Sequence, residues 1–412
     1  MATLAQSPDT ISSDIESPYA WMRLATGVLL GSIGSVGMWS VVVALPAVQS
    51  EFHTARADAS LPYTLAMVGF ALGGVLIGRL VDRVGIVIPI VISAVTLAAG
   101  YCASGLAANL WQFALMHLAI GFGSSVTFAP LIADLSHWFT KRRGIAVTIC
   151  ASGNYLGGTI WPPLVQHFIA TDGWRPTQIG IGLVCLVTML PLALIFRRRI
   201  GTTVAETAHA AANVRLIPGF NRNVLQGLLC VAGVGCCVAM SMPQVHIVAY
   251  CGDLGYGAAR GAEMLSLMLG FGIFSRILSG FVADRIGGLA TLLIGSLMQG
   301  VALFLYLMFD GLTSLYVISA LFGLFQGGIV PMYAIIVREF FPPQEAGARV
   351  GLVVMSTIVG MALGGWMSGA IFDYTGSYAQ AFANGLLWNL LNVSIVGFLL
   401  WRTRSAQRGA YA

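Results

Sequence analysis

Charge is what this sequence has least of. Asp, Glu, Lys and Arg make up 9% of its 412 residues, and lysine occurs once, at Lys141. Soluble domains carry roughly a quarter charged residues, so a water-soluble globular protein is excluded. Long apolar runs stand in place of charge: the hydrophobic fraction is 57% and the mean hydropathy +0.84. That balance belongs to a chain that crosses a lipid bilayer many times. Lys141 is followed by Arg142, so there is no Gly-Lys-Ser/Thr phosphate loop, and no HExxH or CxxC pair occurs. Nothing therefore points to an enzyme, a catalytic residue, a metal or a cofactor. The seven cysteines lie in or beside apolar runs without disulfide or zinc spacing, as small core residues do. Asp9, Asp14 and Glu16 break up the first 20 residues, and no basic stretch precedes an apolar one. A short tail is expected there rather than a signal peptide.

Apolar runs predict helices near 22–48, 61–81, 86–107, 110–133, 144–169 and 176–196, then near 223–250, 260–283, 288–309, 312–337, 347–371 and 378–401. Each is long enough for ~30 Å of hydrocarbon, and the alternating pattern of a membrane barrel is missing. The expected fold is an all-α membrane protein of twelve transmembrane helices in two pseudo-symmetric six-helix bundles. Its parts are a tail at 1–21, a bundle at 22–196, a linker at 197–222, a bundle at 223–401 and a tail at 402–412. With both termini in the cytoplasm, 17 of the 21 Lys and Arg fall on the cytoplasmic side and three, Arg56, Arg175 and Arg260, outside. That bias sets the orientation in an inner or plasma membrane and accounts for the net charge of +5 without a nucleic-acid partner.

Two stretches repeat. GRLVDRVG spans Gly78–Gly85 and GFVADRIG spans Gly280–Gly287, 202 residues apart. Each ends a helix, the second and the eighth, so the chain reads as a tandem of six-helix halves that rock about a central path. Gly78, Asp82, Arg83, Gly280, Asp284, Arg285 and the loop cation Arg143 are the candidate gating residues. The acids and arginines can pair between helix ends in one state and part in the other. The glycines allow a tight turn and close helix contact.

Both stretches resemble the Gly-x-x-x-Asp-Arg-x-Gly signature of the major facilitator superfamily. WFTKRRGIAVTICASGNYLGG (Trp138–Gly158), SMPQVHIVAYCGDLGYG (Ser241–Gly257) and FSRILSGFVADRIGG (Phe274–Gly288) resemble its monocarboxylate porter and oxalate/formate antiporter group. The resemblance covers essentially the whole chain. It implies alternating access, a central cavity near mid-membrane and a monomer.

Arg276 lies eight residues before Asp284, about 12 Å up its helix. An arginine at that depth costs roughly 2.5–3.5 kcal/mol. Its repeat counterpart is Gly74, and Gly272 and Gly280 flank it one turn away, so no acid on its own helix pairs with it. A lone deep guanidinium matches a carboxylate in two parallel hydrogen bonds, and the resemblance implies a carboxylate-binding arginine at this place. Oxalate-type members add a lysine where Thr357 stands, and animal carriers an aspartate where Gly272 stands. One cation suits one carboxylate, so the expected substrate is a small monocarboxylate. His246, beside Pro243, and His117 are the deep titratable groups that can carry a proton near neutral pH. Symport with protons and anion exchange both remain open. Asn154, Tyr155, Tyr333 and Trp39 are further pocket candidates alongside His246. The competing readings are a sensor without flux and an exporter of drugs or amphipathic metabolites. An exporter of greasy cations or neutral compounds has little use for a buried arginine.

Overall fold

The computed structural model describes residues 15–198 and 221–409, and these contain helix and no strand. Twelve long helical segments follow one another: α1 (Pro18–Phe52), α2 (Arg56–Val84), α3 (Val87–Gly105), α4 (Leu110–Ser136), α5 (Arg143–Asp172), α6 (Trp174–Ile195), α7 (Arg222–Asp253), α8 (Ala258–Ile286), α9 (Gly288–Met308), α10 (Leu312–Phe340), α11 (Pro343–Thr375) and α12 (Tyr378–Gly409). Eleven are long and apolar enough to cross a membrane; α5 is not among them. Caps mark several starts. Ser17 Oγ accepts from the Ala20 N–H ahead of α1, and Asn221 Oδ1 from the Asn223 N–H ahead of α7.

The first six helices pack among themselves, α1 on α5, α2 on α4 and α3 on α6. The last six do the same, α7 on α11 and α12, α8 on α10 and α9 on α12. The halves meet where α5 crosses α8, α2 crosses α11 and α1 crosses α7. Packing shows the repeat as plainly as the charged turns do. Gly121 of α4 lies against the Ala66 carbonyl of α2, and Gly323 of α10 against the Met268 carbonyl of α8. Both members of this pair of contacts are offset by 202 residues, and any Cβ at either glycine would overlap the facing backbone.

The termini depart from expectation. Residues 18–21 are already helical, Glu16 accepts from the backbone N–H of Arg142 at 2.8 Å, and Tyr19 rests 5.2 Å from the Trp138 ring. Aromatic packing therefore orders part of the segment read as tail. At the other end α12 continues to Gly409, through residues read as tail. Most of the expected linker, residues 199–220, lies outside the described residues.

The two Asp-Arg turns lie at one end of the bundle. Gly85 and Gly287, at φ 78° and 83°, hold the left-handed backbone that lets the chain reverse there. Gly78 and Gly280 correct the expectation of close contact: nothing lies within 4 Å of a Cβ built on either. Asp82, Arg83, Asp284 and Arg285 are exposed and make no side-chain bond among the described residues. The opposite end is latched. Arg56 of α2 donates to both carboxylate oxygens of Asp253 on α7 (3.1 and 3.2 Å) and to the Tyr378 hydroxyl of α12 (2.7 Å). Asp373 of α11 accepts from the backbone N–H groups of Arg56 and Ala57 at 2.8 and 2.7 Å, which caps the start of α2 from the other half.

Candidate functional site

The site is built where α5 lies between α1 and α8. Small residues on both faces of α5 make this possible. A Cβ on Gly153 would sit 2.7 Å from the Val28 carbonyl of α1, and one on Gly158 would sit 2.9 Å from the Trp39 indole nitrogen. On α8, Gly272 leaves room for the Tyr155 ring, which an added Cβ would overlap.

Prolines supply acceptors. Pro331 has no N–H, so the carbonyl of Gly327, four residues earlier, loses its helical donor. Arg276 Nε donates to that carbonyl at 3.4 Å. Pro163 frees the Thr159 carbonyl in the same way, and the Ser266 hydroxyl of α8 donates to it across the two halves. The guanidinium of Arg276 also donates through Nη1 to the Ala151 carbonyl at 2.9 Å, and its Cζ lies 4.3 Å above the Tyr155 ring. Arg276 is 8% exposed and has no carboxylate partner among the described residues. Nη2 makes no hydrogen bond there. Tyr155 fills the space that an acid at position 272 would need, so the cation rests on a ring face in place of an anion.

This guanidinium lines a cavity of about 230 Å³ between the halves. Trp39, Asn154 and Tyr155 line it too, as the sequence led us to expect, and so does Gly74, the repeat counterpart of Arg276. Sequence reasoning missed Gln244, Met240 and Met361, and the rings Phe70 and Phe128. Their depth was readable but the face they turn inward was not. Among the described residues, Arg276 is the one lining residue that is charged at neutral pH. The cavity reaches Gly351 and Val354, near the start of α11 at the end with the Asp-Arg turns, while the other end is closed by the Arg56 latch.

Four candidates lie elsewhere. His246 is buried behind the latch. Its Nε2 meets the Gly365 carbonyl at 2.8 Å, which only accepts, so Nε2 donates and Nδ1 accepts from the Tyr378 hydroxyl at 3.0 Å. Both ring nitrogens are committed to packing rather than to a ligand. His117 is buried against the Phe113 carbonyl through Nδ1 (2.8 Å), away from the cavity. Tyr333 lies inside the second half, its hydroxyl on Asn392 Oδ1 at 3.1 Å. Arg143 donates to Ser136 Oγ within its own half.

The sequence profile of the Major Facilitator Superfamily matches residues 27–312 and 264–411. The chain belongs to that superfamily. It is similar to monocarboxylate transporter 13 of Rattus norvegicus, 27% identical over 334 residues, 79% of this chain and 74% of that protein. It is also similar to the MFS-type transporter opdF of Penicillium oxalicum, 26% identical over 363 residues, 85% of this chain and 83% of the other. The agnestins efflux protein AgnL12 of Paecilomyces divaricatus is 23% identical over 322 residues, 77% of this chain and 72% of that one. Among solved structures, a bacterial homolog of the human lysosomal transporter Spinster, inward-facing and unoccupied, superposes with a TM-score of 0.66 at 16% identity, over 94% of this chain and 96% of that one. The helices are those of a superfamily transporter.

Proposed function

We propose that this transporter carries a small monocarboxylate across an inner or plasma membrane by alternating access, with the carboxylate held by Arg276. One observation carries the reading: a deep guanidinium faces the cavity between the halves, resting on two carbonyls and a ring, with no acid among the described residues to neutralise it. In a low-dielectric site a carboxylate that replaces the missing counter-charge is strongly favoured. The relatives named for monocarboxylates support the substrate class. Among the described residues the cavity lining holds no carboxylate or histidine, so the proton route through His246 or His117 has no direct path to the substrate. Exchange of one organic anion for another fits better, because an anion then accompanies Arg276 in both directions. Termini in the cytoplasm place the Asp-Arg turns inside and the Arg56 latch outside, so this conformation faces inward. A second reading has its own support. Methionines adapt to varied apolar shapes, Met38, Met240, Met355 and Met361 line the cavity, and one relative is an efflux protein by name; that reading is export of an amphipathic metabolite.

Uptake into proteoliposomes tests both. The expected result is entry of a labelled monocarboxylate, loss of more than about 90% of it in Arg276→Ala, acceleration by unlabelled anion inside, and no response to an imposed proton gradient. Normal uptake by folded Arg276→Ala would overturn the reading. Movement of neutral or cationic compounds in preference to acids would hand the function to the exporter reading.

A further inference from the structure

The cavity lies between two seams that are not alike. On one side α5 and α8 are packed at the level of Arg276 itself. The Tyr155 ring fills the space beside Gly272, Nη1 of Arg276 holds the Ala151 carbonyl, and the Ser266 hydroxyl holds the Thr159 carbonyl. On the other side α2 and α11 meet near the latch, where Thr64 Oγ1 donates to the Ala362 carbonyl at 3.2 Å and the Tyr63 ring rests against Gly365. Toward the Asp-Arg turns that seam parts. A Cβ built on Gly74 of α2, or on Gly347 or Gly351 of α11, meets nothing within 4 Å. Residues 65–80 of α2 make no hydrogen bond to α11 among the described residues.

The gap lies at the depth of lipid tails. Gly74 stands ten residues before the end of α2, about 15 Å of helix, inside the ~30 Å of hydrocarbon that such a helix crosses. Gly74, Val75 and Gly351 line the cavity; next to them Leu72, Leu76 and Leu352 lie outside the lining and are exposed. The cavity wall therefore continues onto an apolar outer surface that acyl chains cover. On these two helices the wall is Phe70, Val75, Val354, Met355 and Ile358, and the one polar side chain among them, Thr357, turns its hydroxyl to the Val354 carbonyl. Across from them is the guanidinium of Arg276, on a side chain more than nine-tenths buried, with Nη2 still unbonded. A cavity of about 230 Å³ lies below the ~300–1,000 Å³ of sites that enclose a drug-sized ligand, so a longer apolar ligand bound at Arg276 has to leave it through a wall.

We infer that the substrate is an alkyl-chain monocarboxylate, its carboxylate on Arg276 and its tail passing between α2 and α11 into the leaflet on the side of the Asp-Arg turns, so that it reaches and leaves the site from the bilayer. This rests on the proposed carboxylate reading of Arg276 and adds the tail and its route. The packed α5–α8 seam offers the tail no way out, and the latch closes the far end. A short acid makes no use of the gap, whereas an alkyl chain exchanges one apolar surrounding for another along its length.

The test is photolabelling of the purified full-length protein in lipid nanodiscs with octanoate that carries a diazirine at the end of its chain. Light fixes the tail where it lies, and peptide mass spectrometry reads the position. The expected label falls on residues 70–80 of α2 or 351–359 of α11. It should drop about tenfold or more with excess octanoate and in Arg276→Ala, and stay with excess octanol. Octanoate should compete better than butanoate on the order of a hundredfold, from about fourfold for each of the four added methylenes. Gly74→Leu together with Gly351→Leu fills the gap, and is expected to shrink that ratio to about tenfold or less; if this double variant fails to fold by size exclusion, the label position in the parent protein decides. Label on α5 or around Trp39, butanoate competing as well as octanoate, a ratio unchanged in the folded double variant, or no label at all overturns this inference and leaves the carboxylate reading standing on uptake. Octanol competing as well as octanoate, or full labelling of folded Arg276→Ala, overturns both.

Discussion

The latch opposite the Asp-Arg turns can be opened by one substitution. Asp373→Ala removes the carboxylate that accepts from the Arg56 and Ala57 N–H groups at 2.8 and 2.7 Å. A side chain capping a helix start contributes about 0.5–2 kcal/mol, and a hydrogen bond to a charged group about 1.5–3 kcal/mol. Asp373 is exposed, so water restores part of what is lost, and about 2 kcal/mol is the reasonable total. That is roughly thirtyfold in the equilibrium between closed and open at this end, at about 1.4 kcal/mol per factor of ten. The assay is a spin-label distance between cysteines placed at exposed Ala55 and Tyr374, with half-buried Cys102 and Cys230 changed to serine. The parent should give one short distance. Asp373→Ala should add a longer population, and Arg56→Ala on top of it, by removing the Asp253 pair and the Tyr378 bond, should enlarge that population further. A distance distribution unchanged in the double variant would refute the claim that these groups hold the two halves together.

Three further outcomes follow from geometry already described. Arg23 is 1% exposed, paired with Asp134 at 2.6 Å and flanked by the Trp138 and Phe196 rings at 4.5 and 4.4 Å. Asp134→Leu strands that charge, so a loss of about 3 kcal/mol and a fall of roughly 3–4 °C in the melting temperature are expected in detergent, measurable by nano-scale fluorimetry. Gly280→Leu meets open space in this conformation and should leave melting unchanged. If the Asp-Arg end closes during transport, the added bulk lowers the rate by about tenfold or more, while full-rate transport would show that Gly280 never approaches another helix. Glu16, outside the spans, is held below its ordinary value of 4.5 by the Arg142 and Thr140 N–H groups. Its folded value is depressed, so its contribution is present above the ordinary value and lost as pH falls through the lowered one. With the intrinsic pH dependence of amide exchange divided out, the protection of residues 138–142 should therefore be constant above about 4.5 and fall as pH drops below it, and Glu16→Gln should flatten that fall.

Much of the architecture was legible because hydropathy and the 202-residue offset are both one-dimensional signals. Helix starts and ends, the repeat and the depth of Arg276 can all be counted along the chain. The direction a side chain faces cannot be counted. His246 and Tyr333 sit at depths suited to a pocket, yet one turns to Gly365 and the other to Asn392, inside the second half. Asn154 and Tyr155 stand out through the small-residue stretch around them and Trp39 through its depth on the first helix, and all three line the cavity. The latch was hidden for a different reason. Arg56, Asp253 and Asp373 stand at three helix ends far apart in sequence, and each alone reads as an ordinary charge at a membrane boundary.

The weak apolarity of α5 matters before the protein is complete. Its run of Gly153, Asn154, Gly157, Gly158, Pro162 and Pro163 suits crowded neighbours rather than acyl chains. During synthesis α1 is already available to it, but α8, which covers Gly158 and Tyr155, emerges about a hundred residues later. For that interval half of its contact face has only lipid or the insertion machinery against it. The glycines that let α5 pack closely between α1 and α8 therefore leave its final seating dependent on a helix made much later.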